Sequence, residues 1–498
     1  VSETAAPTRP PGRTVCRKPE IAMSDAAMPA TASGADRIDR LRALLGTSAI
    51  LGPAELEGRD AGWDAANFNA FALARPSSTA AVARLLAWCA DEGIVVVPQG
   101  GRTGLVGGAV SSPDALICDL GGLAAIEEID AETGIAVVQA GITLAALQQA
   151  TNAIGLDPGI DLAARGSATI GGMVSTNAGG IMAFRAGVMR HRVLGLEVVL
   201  PDGRIFSDMT RVIKTSAGYD LKHLFIGAEG TLGVVTRVVL KLEPVVAARA
   251  TALVAIADAQ MGLAIVRHLQ TRLPGRLRAA EIMWRTFVAA TGAALGFDVS
   301  QSPFDAPCVL GLEIAGEDFD EAASALENGL AEIYDELDIE GCVVATSLQQ
   351  AERLWSVRER TEILYRLHPR APSFDVSVAG GAIDVYLSRT LADLRLIDPE
   401  IEPYVFGHLA DGNLHIVLNL PGPLDEAMQE DVERAIYQDL AAMGGSLSAE
   451  HGIGLTKRAA FERYADPVKQ QLTAAIKNLL DPTGICNPGK ILDTKLVL

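Results

Sequence analysis

Apolar positions along the chain repeat first as helices and then as strands. ADRIDRLRALLG, residues 35–46, and STAAVARLLAWCADEG, residues 78–93, return an apolar side chain every three to four positions and close on glycine. They predict amphipathic helices stopped at Gly46 and Gly93. IVVVP, residues 94–98, predicts a short buried strand, and PDGR, residues 201–204, a hairpin turn. Residues 1–36 show no periodicity and read as a disordered, functionally silent tail, followed by a helical segment over 37–65. VFGHLADGNLHIVL, residues 405–418, reads as two strands around Asp411-Gly412. LWSVRERTEILYRL, residues 354–367, reads as one helix. The architecture is α+β.

Three glycine-rich segments interrupt this pattern. In QGGRTGLVGGAV, residues 99–110, a strand runs into clustered glycines, which permit close backbone approach and turn N–H groups toward an anion. The spacing matches neither common nucleotide-binding glycine motif, and read alone it equally describes a tight loop. GIDLAARGSATIGGMVSTNAGGIMAFRAG, residues 159–187, is dominated by small residues. They suit a backbone lying against a flat ligand, with Ser167, Thr169, Ser175, Thr176 and Asn177 offering hydrogen bonds. The third segment covers residues 218–244. Together they predict a cleft for a long, phosphate-bearing cofactor. GICNPGKI, residues 484–491, imitates a phosphate loop but ends on Ile491 where a hydroxyl is needed, and Pro488 removes a donor.

Composition narrows the classes. The 498 residues carry a formal charge of −19, which opposes nucleic acid and anionic membrane as general partners. Six scattered cysteines without CxxC spacing read as reduced thiols in a cytoplasm. No apolar run has transmembrane length.

Only seven histidines are present, and three gather near the end: His408, His415 and His451. With Asp411-Gly412 as a two-residue turn, His408 faces His415, a separation that suits two imidazoles on one metal. A pair of buried structural histidines is the alternative. Glu450 precedes His451, and in extended backbone neighbours point oppositely, so one can ligate while the other meets a substrate. His408, His415 and Glu450 form a set suited to Zn²⁺, with Mn²⁺ and Fe²⁺ compatible.

The ordered motifs over residues 66–496, including IGGMVSTNAGG, GYDLKHLFIGAEGTLGVVT, GHLADGNLH, AEHGIG and DPTGICNPGKIL, closely resemble the FAD-linked D-2-hydroxy acid dehydrogenases of the vanillyl-alcohol oxidase superfamily. That group includes D-lactate and D-2-hydroxyglutarate dehydrogenases and the FAD subunit of glycolate oxidase. The resemblance implies a two-subdomain FAD domain over 66–245, a cap with a large antiparallel sheet over 246–455, and a return to the FAD domain over 456–498. It implies FAD contacts at Pro98, Gly100, Gly101, Arg102, Thr103, Gly104, Gly107, Pro158, Gly159, Ala168, Thr169, Gly171, Gly172, Ser175, Asn177, Ala178, Gly179, Glu229, Gly230, Val234 and Asn487. The first glycine loop holds no His, Cys or Tyr, so FAD is expected to be noncovalent.

By the same resemblance His408, His415 and Glu450 hold metal, and His451 is the base. It takes the hydroxyl proton of a D-2-hydroxy acid while the Cα hydride passes to flavin N5. Arg358 would clamp a substrate carboxylate, with Thr361 on the same helical face; pairing of Arg358 with Glu362 is the bland alternative. Two departures matter: Ser373 replaces a lysine common in D-2-hydroxyglutarate dehydrogenases, and Val417 an asparagine. They favour D-lactate or another acid with a less charged tail, unless Arg276, Arg278 or Arg285 supplies the charge. The implied acceptor is an electron-transfer flavoprotein, a cytochrome or a quinone, and a homodimer is left open. Two other readings remain: the FAD subunit of a glycolate-oxidase-like complex, and a metal-free FAD oxidase or transferase.

Overall fold

The computed structural model describes residues 34–493. Nearly all of the expected tail, and Cys16 with it, lies outside the described residues. The helix Gly34–Leu45 stops before Gly46 at φ 95°. The helix Thr79–Glu92 starts where the Ser78 side chain accepts the Ala81 N–H and ends on Gly93 at φ 64°. The hairpin at 201–204 joins the strands Val193–Val199 and Ile205–Asp208.

The N-terminal half holds two larger sheets over one core, besides the short pair Leu156–Asp157 and Glu243–Pro244. The first runs Ile50–Leu51, Ala72–Ala74, Leu116–Asp119, Val96–Gln99, with its last three strands parallel. The second is antiparallel and five-stranded, ordered Ile126–Asp130, Ile135–Gln139, Val234–Lys241, Val193–Val199, Ile205–Asp208. Leu85, Val96, Val138, Val174 and Val238 are buried in the shared core. Each such side chain contributes about 1.5–3 kcal/mol of hydrophobic stabilisation.

The second half is built on a seven-stranded antiparallel sheet. Its order is Cys342–Val344, Ala248–Ile256, Cys308–Gly316, Leu277–Trp284, Tyr404–His408, Asn413–Val417, Ser373–Ser377. Alternation along these strands separates two faces. The back face packs Val254, Ile282, Leu310 and Ile416 against Ile265, Leu326 and Leu387 of three covering helices. The front face packs Leu253, Met283, Phe406 and Val417 against Phe287, Leu354 and Val357. Glu281, His408, His415 and Asp375 interrupt that front face.

One expected helix is two. Leu348–Glu359 ends before Arg360, and a second helix covers Glu362–Leu367. The apolar period continues across the break, which hid it. Thr361 therefore lies between helices and does not share a helical face with Arg358.

The C-terminal segment returns to the first core, where Ile485 and Cys486 are buried. Val96 N–H donates to Ile485 O at 2.8 Å, and Asn487 N–H to Val96 O at 2.8 Å. The ammonium of buried Lys477 donates to Thr231 O at 2.7 Å and Cys486 O at 2.8 Å and pairs with Asp481. Asp481 in turn accepts the N–H groups of Ile485 and Cys486. The lysine of GICNPGKI, Lys490, is spent on Val110 O. Among the described residues no helix is long and apolar enough to cross a membrane.

The Lys477→Met variant leaves Asp481 as a buried, unpaired charge. It should lose about 3–5 kcal/mol of stability in denaturant unfolding. An unchanged midpoint would show that the segment is not held by this pair.

Candidate active site

The histidine hairpin exists with a different register. His408 opposes Asn413, and Phe406 opposes His415. The connection is the four residues Leu409–Gly412, closed by Gly412 N–H donating to His408 O at 3.0 Å. Asp411-Gly412 alone is not the turn. Gly412 has φ 76°, and a Cβ there would lie 1.9 Å from Val378 O. A shift of two residues keeps side chains on the same face. His408 and His415 are therefore diagonal neighbours on the front face, with ring centroids 5.7 Å apart.

Glu450 and His451 sit on a loop, not a strand. Two carboxylates from opposite halves of the molecule pin that loop. Oδ2 of Asp375 accepts the N–H groups of Ala449, Glu450 and His451 at 3.1, 2.9 and 3.0 Å. Glu229 accepts those of Ile453 at 2.7 Å and Gly454 at 2.9 Å. The Glu229 carboxylate is thus used within the protein, and the residue also lines the cleft. Burial pushes Glu229 up to about 7.

With the loop pinned, Glu450 Oε1 reaches 3.9 Å from His408 Nε2 and accepts Gly180 N–H at 2.7 Å. The ligand atoms of His408, His415 and Glu450 all lie within 4.8 Å of one another. Asp375, His415 and His451 form a second such cluster. Its carboxylate is already committed: Oδ1 accepts Asn413 Nδ2 at 2.8 Å, and Lys457 Nζ stands 3.6 Å from Oδ2. The first set fits a divalent metal better. Its His408 gives Nδ1 to Glu281 Oε1 at 2.5 Å, which leaves Nε2 facing Glu450.

Electrostatics follow burial and partners. Burial lowers the His408 imidazole, but Glu281 outweighs it and raises the group to about 9. Burial lowers His415 well below its ordinary value. Burial would raise Asp375, yet His451, Lys457 and His415 hold it far below the carboxylate range. Glu281, Asp375 and Lys457 escaped the sequence reading. The available signal was a lone acid in each of the strands LRAAEIMW and SFDVS.

Arg358 does not pair with Glu362. Its Nε donates to Glu281 Oε2 at 2.7 Å, and its guanidinium lies 4.7 Å from the Phe406 ring centroid. The Nη atoms make no hydrogen bond among the described residues and stay available for a planar anion.

The glycine cleft is narrow, about 160 Å³, because its walls meet: a Cβ on Gly101 would lie 1.9 Å from Ser167 O. Pro98, Gly100, Gly101, Arg102, Thr103, Gly104, Ala168, Thr169, Gly171, Gly172, Ser175, Ala178, Glu229, Gly230 and Val234 line it, together with His451. Six further expected contacts are not among the residues that line it directly. Gly107 packs on Leu455, Gly179 on Glu450, and Gly159 on Arg192. Pro158 is buried beside Gly159. Asn177 Oδ1 accepts Arg190 N–H, and Asn487 Nδ2 donates to Gly108 O and Glu229 O.

Several of the expected hydroxyls also bond locally. Thr169 caps Gly172 N–H, while Ser175 and Thr176 donate to Gly171 O and Gly172 O. Buried Gln99 Oε1, Arg102 Nε and Asn487 Oδ1 have no partner around this cleft. That set of orphaned polar atoms among glycines fits a polar dinucleotide. A larger cavity of about 870 Å³ lies behind the loop among Leu224, Ile226, Phe461 and Tyr464. Of the metal set only Glu450 borders it, so its size does not make it the chemical site.

Residues 70–208 match the FAD binding domain family, and residues 246–491 the family described as FAD linked oxidases, C-terminal domain. A D-2-hydroxyglutarate dehydrogenase of Xanthomonas citri pv. viticola is 36% identical over 458 residues, covering 89% of this chain and 93% of that protein. The chain belongs to the FAD-linked D-2-hydroxy acid dehydrogenases. A mitochondrial D-2-hydroxyglutarate dehydrogenase of Bos taurus is 34% identical, covering 94% of this chain and 85% of that one. The fold is that of p-cresol methylhydroxylase, whose substrate-bound structure gives a TM-score of 0.69 at 17% identity over 93% of this chain and 97% of that one. FAD is the cofactor of this oxidoreductase.

Acid precipitation should release all the flavin as FAD, because Gly101–Gly108 offers no tethering side chain. Flavin retained in the protein pellet would contradict this.

Proposed function

We propose that the enzyme oxidises a D-2-hydroxy acid to its 2-keto acid with a divalent metal held by His408, His415 and Glu450 and with His451 as base. The carrying observation is the convergence of those three ligand atoms, within 4.8 Å of one another, beside a histidine that lines the glycine cleft. The D-2-hydroxyglutarate dehydrogenases among its relatives support the substrate class. Bound FAD supplies the hydride acceptor. A bound metal supplies Lewis acidity toward the substrate hydroxyl, for which Zn²⁺ suits the donor set best.

The protein's own groups do the rest. Glu281 fixes the His408 tautomer and aligns Arg358, whose free Nη edge takes the substrate carboxylate. His451 removes the hydroxyl proton. Its Nδ1 stands 3.9 Å from Asp375 Oδ2, a fixed negative charge that stabilises the imidazolium as it forms. The electrons leave to an external acceptor of the electron-transfer flavoprotein, cytochrome or quinone class.

His408→Ala and His415→Ala should lose metal while keeping FAD. His451→Gln should keep both and slow flavin reduction by about 10²–10⁴-fold. The assay is anaerobic mixing with saturating substrate, with metal measured on the same samples. Alanine variants that turn over normally would make the histidine pair structural. A His451→Gln enzyme reduced as fast as wild type would remove His451 from the proton transfer.

A further inference from the structure

Three arginines near the sheet were candidates to carry an additional positive charge into the site. Two are engaged elsewhere. Arg276 donates to Ala315 O and to Glu321 at 2.7 Å, and Arg285 donates to Asp305 O. Arg278 is different. It is 5% exposed, and no carboxylate among the described residues lies within the 4.0 Å of an ion pair. Its buried Nε has no partner, and its one hydrogen bond runs from Nη2 to Met182 Sδ at 3.7 Å.

A buried guanidinium without an anion is costly, so such groups are normally paired. The surroundings do not provide the pairing. Arg185 and Arg249 add positive charge to the neighbourhood of Arg278, opposed by Glu313 and Asp157. Glu313 already pairs with Arg249 at 3.4 Å, and Asp157 accepts Gly159 N–H.

The position of Arg278 is tied to the chemistry from both sides. The register of its strand skips Arg278, from Leu277 opposite Ile314 to Ala279 opposite Glu313. This bulge leaves the arginine free of cross-strand pairing, against Met182, which follows the small-residue segment that lines the glycine cleft. Met182 follows Gly180, whose N–H holds Glu450. Three residues along the strand, about 10 Å or less, Glu281 holds both His408 and Arg358.

We propose that Arg278 binds the second carboxylate of a 2-hydroxy diacid, an inference that rests on the 2-hydroxy acid reading above. The two positions that depart from the relatives' pattern support the need for it. Ser373 and Val417 are cross-strand partners, and Val417 is buried among Phe287 and Phe406. Neither of these two side chains offers a distal carboxylate a cation. Arg278 supplies one from another strand and so reverses the preference for an uncharged tail.

The test compares D-2-hydroxyglutarate with D-lactate on the FAD- and metal-loaded enzyme, by kcat/KM, and 2-oxoglutarate with pyruvate by equilibrium perturbation of the flavin spectrum. Wild type should prefer the diacids. Arg278→Met should lose about thirtyfold or more toward the diacids and less than about threefold toward the monoacids. Arg278→Lys keeps a buried cation and should lose about tenfold on the diacids alone, which holds the comparison if the methionine variant does not fold. Equal losses on both acid classes, no loss on either, or a wild type that favours monoacids would overturn the role of Arg278. A wild type that oxidises neither acid would instead overturn the 2-hydroxy acid reading itself.

Discussion

The site depends on how the loop Ala449–Gly454 is held. That loop carries both Glu450 and His451, yet it has no regular secondary structure of its own. Its shape comes from five backbone N–H groups that donate to two buried carboxylates, three to Asp375 and two to Glu229. Asp375 belongs to the edge strand of the cap sheet and Glu229 to the FAD domain. A loop bonded to both halves fixes the Glu450 carboxylate and His451 relative to the glycine cleft. Gly452 makes this possible at φ 82°, where a Cβ would meet Glu229 Oε1 at 2.7 Å.

Buried charge is the common currency of the cap's front face. Asp375 is balanced by Lys457 and by the histidines, Glu281 by Arg358 and His408. Each acid orients more than one functional group, so removing either would leave several partners desolvated at once. Such networks add little net stability but impose one arrangement on the groups they touch. Arg278 breaks the rule of internal balance, which is why its environment points outward to a ligand.

Much of this was legible in the chain. Helix stops at Gly46 and Gly93, the buried strand before the first glycine loop, and the shared face of His408 and His415 all follow from local pattern, whereas joining Glu450 to them supposes an extended backbone that the loop does not have. The hairpin register was not legible, because Asp411-Gly412 fits a two-residue turn as well as the end of a four-residue loop. Only the close approach of Gly412 to Val378 O distinguishes them. The helix break at Arg360–Thr361 is hidden by apolar residues that keep period across it. Glu281 and Asp375 were missed because topology alone brings them in: Glu281 lies 127 residues before His408, and Asp375 lies 75 before Glu450. Hydroxyls that composition offers to the cofactor also cap and back-bond their own helix.

The most direct test removes the charge that anchors the loop while keeping the size of the Asp375 side chain. Asp375→Asn should release both Glu450 and His451 from register. Metal content should fall and flavin reduction should slow by about 10²-fold or more, with FAD content unchanged. An Asp375→Asn enzyme that keeps its full metal content and reduces its flavin at the wild-type rate would contradict the account.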